Sequence, residues 1–123
     1  KKIIKNKLIY MIIFVCKGRV LIIKNSGVGL WPGLWGFIDS DTVSEALLDD
    51  LSKKFALTIE SVSHLESFRH RLTHIDCSVR PIKVNVSDLY VAKDRVGRKW
   101  IDIDDKNQLP ISVPVRRILN CLR

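Results

Sequence analysis

The chain has 123 residues, of which 46% are hydrophobic and 28% charged, a composition typical of one globular domain rather than a disordered or repetitive chain. Its formal net charge is +8, and the basic residues are unevenly distributed. Residues 1–24 carry seven basic side chains and no acidic one, whereas residues 39–60 are net negative by four. Basic zones around an acidic segment favour a polyanionic partner, although a soluble protein with a high isoelectric point has the same totals.

The opening segment, KKIIKNKLIYMIIFVCKGR, imitates a secretory signal peptide because a basic start precedes nine apolar residues. No small-residue cleavage site follows, and nine residues are too few to span a bilayer as a helix. The segment therefore predicts a buried strand and no membrane partner. The three cysteines, Cys16, Cys77 and Cys121, are odd in number and far apart, which predicts buried thiols in a reducing, cytoplasmic compartment.

The first half of the chain predicts a hairpin and then a loop. Two β-rich runs, at residues 8–17 and 19–24, are joined at Lys17-Gly18 and predict a short turn. A segment rich in Gly, Pro and Trp follows at residues 27–37. Its Trp35 and Phe37 lie two residues apart, so they share one side of an extended chain and are predicted to cap the core. The glycines of this segment are expected to let the chain bend around that bulk.

Residues 41–57 have the spacing of an amphipathic helix. Asp41 or Thr42 is predicted to be its N-cap, with Glu45 placed for a capping box with Thr42. The predicted apolar stripe consists of Val43, Ala46, Leu47, Leu51 and Phe55.

The second half predicts strands and a closing helix. Residues 59–72 and 74–86 have the pattern of two long extended segments, and the alternation of the second is broken near Pro81. Residues 99–103 predict a short strand, and residues 112–122 predict a helix with a proline in its first turn. The order of elements indicates an α+β layered domain.

Three segments carry a family resemblance. GLWPGLWGF, at residues 29–37, resembles the loop before the helix in Nudix-fold domains, particularly the C-terminal domain of MutY-type adenine DNA glycosylases. FRHRLTHIDCSVRPI, at residues 68–82, is similar to the F-x-H-x-F-[ST]-H loop and following strand of that family, and residues 99–119 are similar to its closing W…L-P-x-x-x-P-x-R-x-[IL]-L run. The match covers residues 8 to 122 and implies a Nudix-like α+β fold, with a mixed β-sheet packed between helices as an α/β/α sandwich.

The resemblance implies that this domain recognises a DNA lesion and does not itself catalyse base removal. In that family a separate N-terminal domain carries the catalytic acid, a DNA clamp and a four-cysteine 4Fe-4S cluster, which the three isolated cysteines here do not supply. We therefore expect this chain to recognise 8-oxoguanine in double-stranded DNA while the catalytic domain of the same parent chain removes the adenine opposite. No cofactor or metal is expected in this domain. Residues 1–7 are expected to be a linker remnant, and residues 8–123 the recognition domain.

The Nudix fold leaves two alternatives open. A hydrolase of oxidised nucleoside triphosphates holds Mg²⁺ with carboxylates on a helix that reads R-E-U-x-E-E-x-G-U, where U is aliphatic. Here residues 49–57 read DDLSKKFAL, so Lys53 and Lys54 replace two adjacent glutamates and would repel the ion, while Glu45 and Asp50 remain as acids. Asp39-Ser40 stands where the hydrolases have two glycines. The second alternative is a protein-interaction module that does not bind DNA.

The resemblance places Leu72, Thr73 and His74 at the lesion-reading positions. It implies that the Thr73 hydroxyl accepts a hydrogen bond from the N–H that 8-oxoguanine has and guanine lacks, while His74 contacts the base or a phosphate. Leu72 stands where phenylalanine is usual, which predicts an aliphatic wedge and a weaker lesion preference because aromatic stacking is lost. Without the resemblance, Thr73 is an ordinary strand threonine.

Basic residues flank this loop. Arg69 and Arg71 share one face by alternation and predict either phosphate contacts or solvated strand arginines. His70 is a further DNA-binding candidate. His70, His74 and Cys77 also suggest a metal cluster, but alternation predicts that Cys77 points away from both histidines.

Four other side chains are candidates by position. Trp31, beside Pro32, is predicted either to stack on a base or contact the catalytic domain, or to pack in the core. Trp100 is expected to pack against the terminal helix. Arg116 and Arg117 are basic candidates for which a solubilising role is the simpler interpretation.

Overall fold

The computed structural model describes residues 4–25, 30–87, 96–104 and 109–123. Its strands are β1 Lys5–Cys16, β2 Arg19–Lys24, β3 Trp35–Gly36, β4 Ile38–Ser40, β5 Thr58–His64, β6 Phe68–Arg71, β7 Ile75–Ser87 and β8 Arg98–Asp102, and its helices are α1 Glu45–Lys54 and α2 Val113–Leu122. The strands form one mixed sheet in the order β3-β2-β1-β7-β5, while β4 also pairs with β1, β6 with β7 and β8 with β2. β1 and β7 run parallel, and the two helices cover opposite faces. The predicted sandwich of a mixed sheet between helices is confirmed.

Successive side chains of β1 alternate between two hydrophobic cores. The α2-side core contains Ile9, Met11, Ile13 and Val15 of β1 with Val115, Ile118 and Leu119 of α2. The α1-side core contains Ile12 and Phe14 of β1 with Leu48 of α1. Because both faces of this strand are buried, its sequence is a continuous apolar run instead of an alternating one. The resemblance of this run to a signal peptide follows from its central position in the sheet.

Strand β7 spans Ile75–Ser87, which confirms the predicted long extended segment, and the change in its apolar alternation near Pro81 does not interrupt the strand. Cys77 and Val79 face the α2-side core, whereas Ile82 faces the α1-side core. The alternation keeps its phase, but the buried face of the strand changes along its length. In a one-dimensional pattern, this change is indistinguishable from a bulge.

The turn between β1 and β2 confirms the predicted hairpin. Lys17 and Gly18 have φ angles of 50° and 75°, both in the left-handed region. A two-residue connection with this backbone is a type I′ turn, whose twist matches that of the two strands it joins.

Helix α1 begins at a different residue from the one predicted. Ser44 is its N-cap, because the Ser44 hydroxyl accepts a hydrogen bond from the Leu47 N–H at 3.1 Å. The predicted cap Thr42 lies in a separate turn, in which the Ser40 hydroxyl donates to the Thr42 carbonyl at 2.6 Å. The prediction of Asp41 or Thr42 as N-cap is therefore wrong by two or three residues.

The predicted apolar stripe of α1 is confirmed except for Ala46, and it also includes Leu48. Ala46 is exposed, and Leu48 is the leucine that is buried in the α1-side core. The remaining predicted members, Val43, Leu47, Leu51 and Phe55, pack around that core.

Trp35 and Trp100 are both buried, but they lie in different cores. Trp35 and Phe37 are buried in the α2-side core, as predicted. Trp100 lies in the α1-side core and not against the terminal helix, because β8 pairs it with Leu21, whose side chain faces α1. The predicted bending role of Gly27 and Gly29 falls outside the described residues.

Candidate functional site

The predicted recognition loop is the tip of a hairpin formed by β6 and β7. Strand β6 pairs antiparallel with β7 from Phe68 opposite Val79 to Arg71 opposite Asp76. The Leu72 N–H then donates to the Ile75 carbonyl at 2.7 Å, which closes the hairpin. Thr73 and His74 are the two residues at its tip, and both are exposed. We call residues 68–79 the recognition hairpin.

The tip of the recognition hairpin is held by its backbone and by apolar packing. The His74 carbonyl accepts a hydrogen bond from the Lys5 N–H at 3.0 Å, which joins the tip to the first residue of β1. Leu72 and Ile75, on either side of the tip, are half-buried and pack against the α2-side core. This contact makes Leu72 an anchor of the tip in the free protein, and its insertion into a base step stays a prediction.

The two arginines of β6 are not equivalent. Arg69 forms an ion pair with Asp76, with 3.1 Å between a guanidinium nitrogen and a carboxylate oxygen. Asp76 is directly opposite Arg71 in the strand register, yet Arg71 forms no ion pair among the described residues. Arg69 and Arg71 are exposed, as predicted from alternation, but only Arg71 presents an uncompensated charge.

The opposite face of β6 carries Phe68 and His70. The rings of Trp31 and His70 lie with centroids 6.3 Å apart at an angle of 47°. The guanidinium carbon of Arg117, on helix α2, lies 4.3 Å from the centroid of the Phe68 ring. Trp31 is half-buried against the α2-side core, so it combines a core contact with a position beside the recognition hairpin.

The prediction that Cys77 points away from both histidines is wrong for His70. The hairpin places His70 directly opposite Cys77, and directly opposed residues share one face of an antiparallel pair. Alternation counted along the chain fails here because the chain reverses at the tip. Burial raises the pKa of the Cys77 thiol above its ordinary value. The prediction of buried cysteine thiols is confirmed for Cys77 but wrong for Cys121, which is exposed on α2, and Cys16 is half-buried. Among the residues that the structure describes, no group of three His, Cys, Asp or Glu side chains is arranged to hold a metal ion.

Sequence reasoning missed a cavity beside the recognition hairpin. It has a volume of about 430 Å³ and is lined by Lys7, Ile9, Leu30, Trp31, Asp39, Ser40 and Asp41. Asp39 remains exposed at the cavity wall, yet surrounding protein removes enough water from its carboxyl to raise its pKa to about 6, an effect that the charge of Lys7 opposes. The signal for this cavity in the sequence is Asp39-Ser40, which stands where the hydrolases have two glycines.

Helix α1 does not fit the magnesium site of a Nudix hydrolase. Lys53 forms an ion pair with Asp49 at 3.0 Å, and this hydrogen-bonded contact raises the pKa of Lys53. Lys53 and Lys54 occupy the last turn, where cations favour the negative end of the helix dipole. Glu45 and Asp49 line a groove against β5. The α1 residues thus form an ordinary surface helix, with ammonium groups where a Mg²⁺ site requires carboxylates.

Comparison with known sequences finds a match to a family model and similarity to individual proteins. The sequence model described as NUDIX domain matches residues 9–121. An adenine DNA glycosylase of Buchnera aphidicola subsp. Schizaphis graminum is 25% identical over 127 residues, covering 100% of this chain and 35% of that protein. The chain spans about a third of the length of the curated relatives it matches.

Solved structures agree on the fold. The C-terminal domain of mouse MUTYH, solved in complex with human PCNA, superposes with a TM-score of 0.61 at 16% identity, covering 92% of this chain and 84% of that one. A MutT NUDIX hydrolase from Burkholderia pseudomallei superposes with a TM-score of 0.59 at 17% identity, covering 94% and 97%. These nearly equal scores show that the fold is shared by both kinds of protein, so the function depends on the site residues.

No helix within the described ranges has the length and apolar character needed to cross a membrane. The NUDIX match extends over β1 to α2 and includes the recognition hairpin, the cavity and the altered helix α1. The chain belongs to the NUDIX domain family.

Proposed function

We propose that this chain is the lesion-recognition domain of an adenine DNA glycosylase and that its recognition hairpin reads 8-oxoguanine in double-stranded DNA. The observation that carries the proposal is the exposure and the fixed backbone of the hairpin tip. Thr73 and His74 are exposed on a two-residue turn that is closed by a hydrogen bond from Leu72 and fixed by another from Lys5. The similarity to an adenine DNA glycosylase supports the same function.

The chemistry of the lesion suits the groups at the tip. Guanine presents acceptors along its major-groove edge, whereas 8-oxoguanine has an N–H at the imidazole nitrogen and a new carbonyl. The Thr73 hydroxyl accepts from that N–H, and a backbone N–H of the tip donates to the carbonyl. A fixed backbone lowers the entropic cost of placing these two groups together.

The surrounding side chains provide the contacts to the DNA backbone. Arg71 binds a phosphate, since no described residue forms an ion pair with it. His74 contacts the base or an adjacent phosphate. His70 and Trp31, which lie ring to ring, extend the surface towards the cavity, where Trp31 stacks on a base or contacts the catalytic domain of the parent chain.

In this proposal, base excision belongs to the catalytic domain of the parent protein, which acts in base excision repair and carries the 4Fe-4S cluster. This chain removes no base and binds no cofactor. Hydrolysis of a nucleoside triphosphate is disfavoured because Lys53 and Lys54 stand where the metal-binding carboxylates are needed. Incubation with Mg²⁺ and 8-oxo-dGTP should therefore release no pyrophosphate above the rate without protein, and turnover would overturn this assignment.

The complex of the mouse MUTYH domain with PCNA favours a second candidate function, the binding of a protein partner. The two functions differ in their response to salt. A DNA-binding domain loses affinity steeply as the salt concentration rises, because condensed counterions are released on binding. A domain that binds only protein should show no duplex binding at any salt concentration.

The test is fluorescence anisotropy with two duplexes that differ only in 8-oxoguanine or guanine opposite adenine. We expect the chain to prefer the lesion duplex, and Thr73→Ala to reduce that preference by about threefold to tenfold, as expected for the loss of one hydrogen bond. Thr58→Ala is the matched control, because Thr58 is an exposed threonine on β5, distant from the tip. Equal affinity of the wild-type chain for both duplexes would refute lesion recognition.

A further inference from the structure

Helix α2 presents an exposed face beside the recognition hairpin. Five residues on this face, Val113, Arg116, Arg117, Asn120 and Cys121, line a shallow groove of about 370 Å³. The lining contains two arginines and no carboxylate. The groove is therefore a cationic surface on the side of the domain that α2 covers.

One of these arginines is fixed in place by the recognition hairpin. The Arg117 guanidinium lies 4.3 Å from the centre of the Phe68 ring, the shortest of the cation–ring distances found within the described residues. An arginine stacked on an aromatic face keeps its in-plane N–H groups available for a phosphate. Arg117 forms no ion pair with any described residue, in contrast to Arg69, whose charge is paired with Asp76.

The alternation of β6 puts two accessible cations, Arg71 of β6 and Arg117 of α2, on opposite flanks of the recognition hairpin. Arg71 points away from the α2-side core. Phe68 faces that core, and its ring contacts the guanidinium of Arg117. A hairpin tip that enters a DNA groove has one phosphate backbone on each side of it. Phe68 and Arg71 are three residues apart, so their side chains face opposite sides of the strand.

We infer that Arg117 contacts a DNA phosphate and that α2 forms a second wall of the DNA-binding surface. The recognition hairpin is the first wall, and Arg71 and Arg117 bind the backbones on the two sides of the groove that the tip enters. Arg117 thus has a binding role in addition to holding α2 against β6. This inference rests on the proposed lesion recognition, because it needs the tip in a DNA groove.

The experiment measures the salt dependence of binding to the 8-oxoguanine duplex. Arg117→Gln should lower the slope of the logarithm of the binding constant against the logarithm of salt concentration by about 1, as expected for one lost phosphate contact. Arg117→Lys should retain the wild-type slope, because the charge remains. Arg98→Gln is the matched control: Arg98 also lies over an aromatic ring, at 5.1 Å from Phe55, but on β8, which pairs with β2 and not with the recognition hairpin. An unchanged slope for Arg117→Gln, or an equal decrease for Arg98→Gln, would overturn the inference.

A second measurement does not depend on substituting Arg117. Cys121 lies one helical turn from Arg117 in the same groove and is exposed, whereas Cys16 is half-buried and Cys77 is buried. Saturating duplex DNA should slow alkylation of Cys121 severalfold, as measured by mass spectrometry of the modified peptides, and an unchanged rate would contradict a DNA-covered α2. If the wild-type chain prefers the lesion duplex but Cys121 stays unprotected, the second wall is wrong and lesion recognition stands. If the chain binds no duplex, both fail.

Discussion

Arg69 and Asp76 form an ion pair of 3.1 Å across the recognition hairpin, although the residue directly opposite Asp76 in the register is Arg71. The carboxylate therefore neutralises the arginine that is farther from the tip. The arginine nearer to the tip has no ion-pair partner within the described part of the chain. Two arginines that are equivalent in the sequence thus differ in their availability to a phosphate.

The first prediction concerns this difference. Arg71→Gln should weaken binding to the 8-oxoguanine duplex by about tenfold, since a hydrogen bond to a charged group is lost. Arg69→Gln should weaken it by about threefold at most, because Arg69 must leave Asp76 to contact DNA, and an exposed ion pair contributes little. Anisotropy titrations at one salt concentration provide the comparison. A larger effect of Arg69→Gln would mean that the ion pair does not persist when DNA binds.

The second prediction concerns Asp76. Asp76→Asn should strengthen duplex binding, because it frees Arg69 and removes a negative charge from the binding surface. The slope of the binding constant with salt should become steeper by about 1, corresponding to one added phosphate contact. The stability of the fold should change by less than about 1 kcal/mol, since the Arg69 side chain of the pair is 70% exposed, although that of Asp76 is only 21% exposed. Asp102→Asn, which removes an exposed carboxylate at the end of β8, is the control for net charge. Weaker binding by Asp76→Asn would show that Asp76 holds the hairpin in its active form.

The sequence predicted the fold well where each pattern is local. The hairpin at Lys17-Gly18, the closing helix and the burial of Trp35 and Phe37 depend on turn chemistry, spacing and hydrophobicity within a few residues. The errors arose where the pattern needed knowledge of the partner strand. Trp100 faces α1 because of its pairing with Leu21, a contact between distant parts of the chain.

In the candidate site as well, the sequence indicated the local features but not the contacts between distant residues. The resemblance located Thr73 and His74, and the structure places them together at the tip. No local pattern indicates that Asp76 pairs with Arg69, that His70 lies opposite Cys77, or that Arg117 lies over Phe68. The last contact joins residues 49 positions apart in the chain, and only the packing of α2 on the sheet creates it.

The third prediction concerns the cavity beside the hairpin. Burial raises the pKa of Asp39 from 3.8 to about 6, so the folded protein retains a proton on this carboxyl that the unfolded chain releases. The resulting stabilisation is complete below about pH 4 and is lost as the pH rises to 6 and above. Asp39→Asn, which stays neutral, should therefore be more stable than the wild type at pH 7, by about 1 kcal/mol after allowance for the solvent exposure of Asp39.

Urea denaturation at pH 4 and pH 7 provides the measurement for Asp39. The difference in unfolding free energy between Asp39→Asn and the wild type should grow between these two pH values. Asp41→Asn neutralises another carboxylate that lines the same cavity and controls for net charge. A difference that is the same at both pH values would assign the effect to packing and not to titration.

The last prediction concerns the hydrogen bond from the Lys5 N–H to the His74 carbonyl, at 3.0 Å. Lys5→Pro removes this donor at the first residue of β1, a position where a strand tolerates proline. The tip then loses one of its two fixed points, so the preference for 8-oxoguanine over guanine should fall severalfold while binding to undamaged duplex changes less. Lys5→Gln removes the same charge but keeps the N–H, and it should retain the preference. If both variants lose it equally, the Lys5 side chain and not its backbone supports the tip. If neither variant loses it, the closing bond from Leu72 to Ile75 is sufficient to hold Thr73 in place.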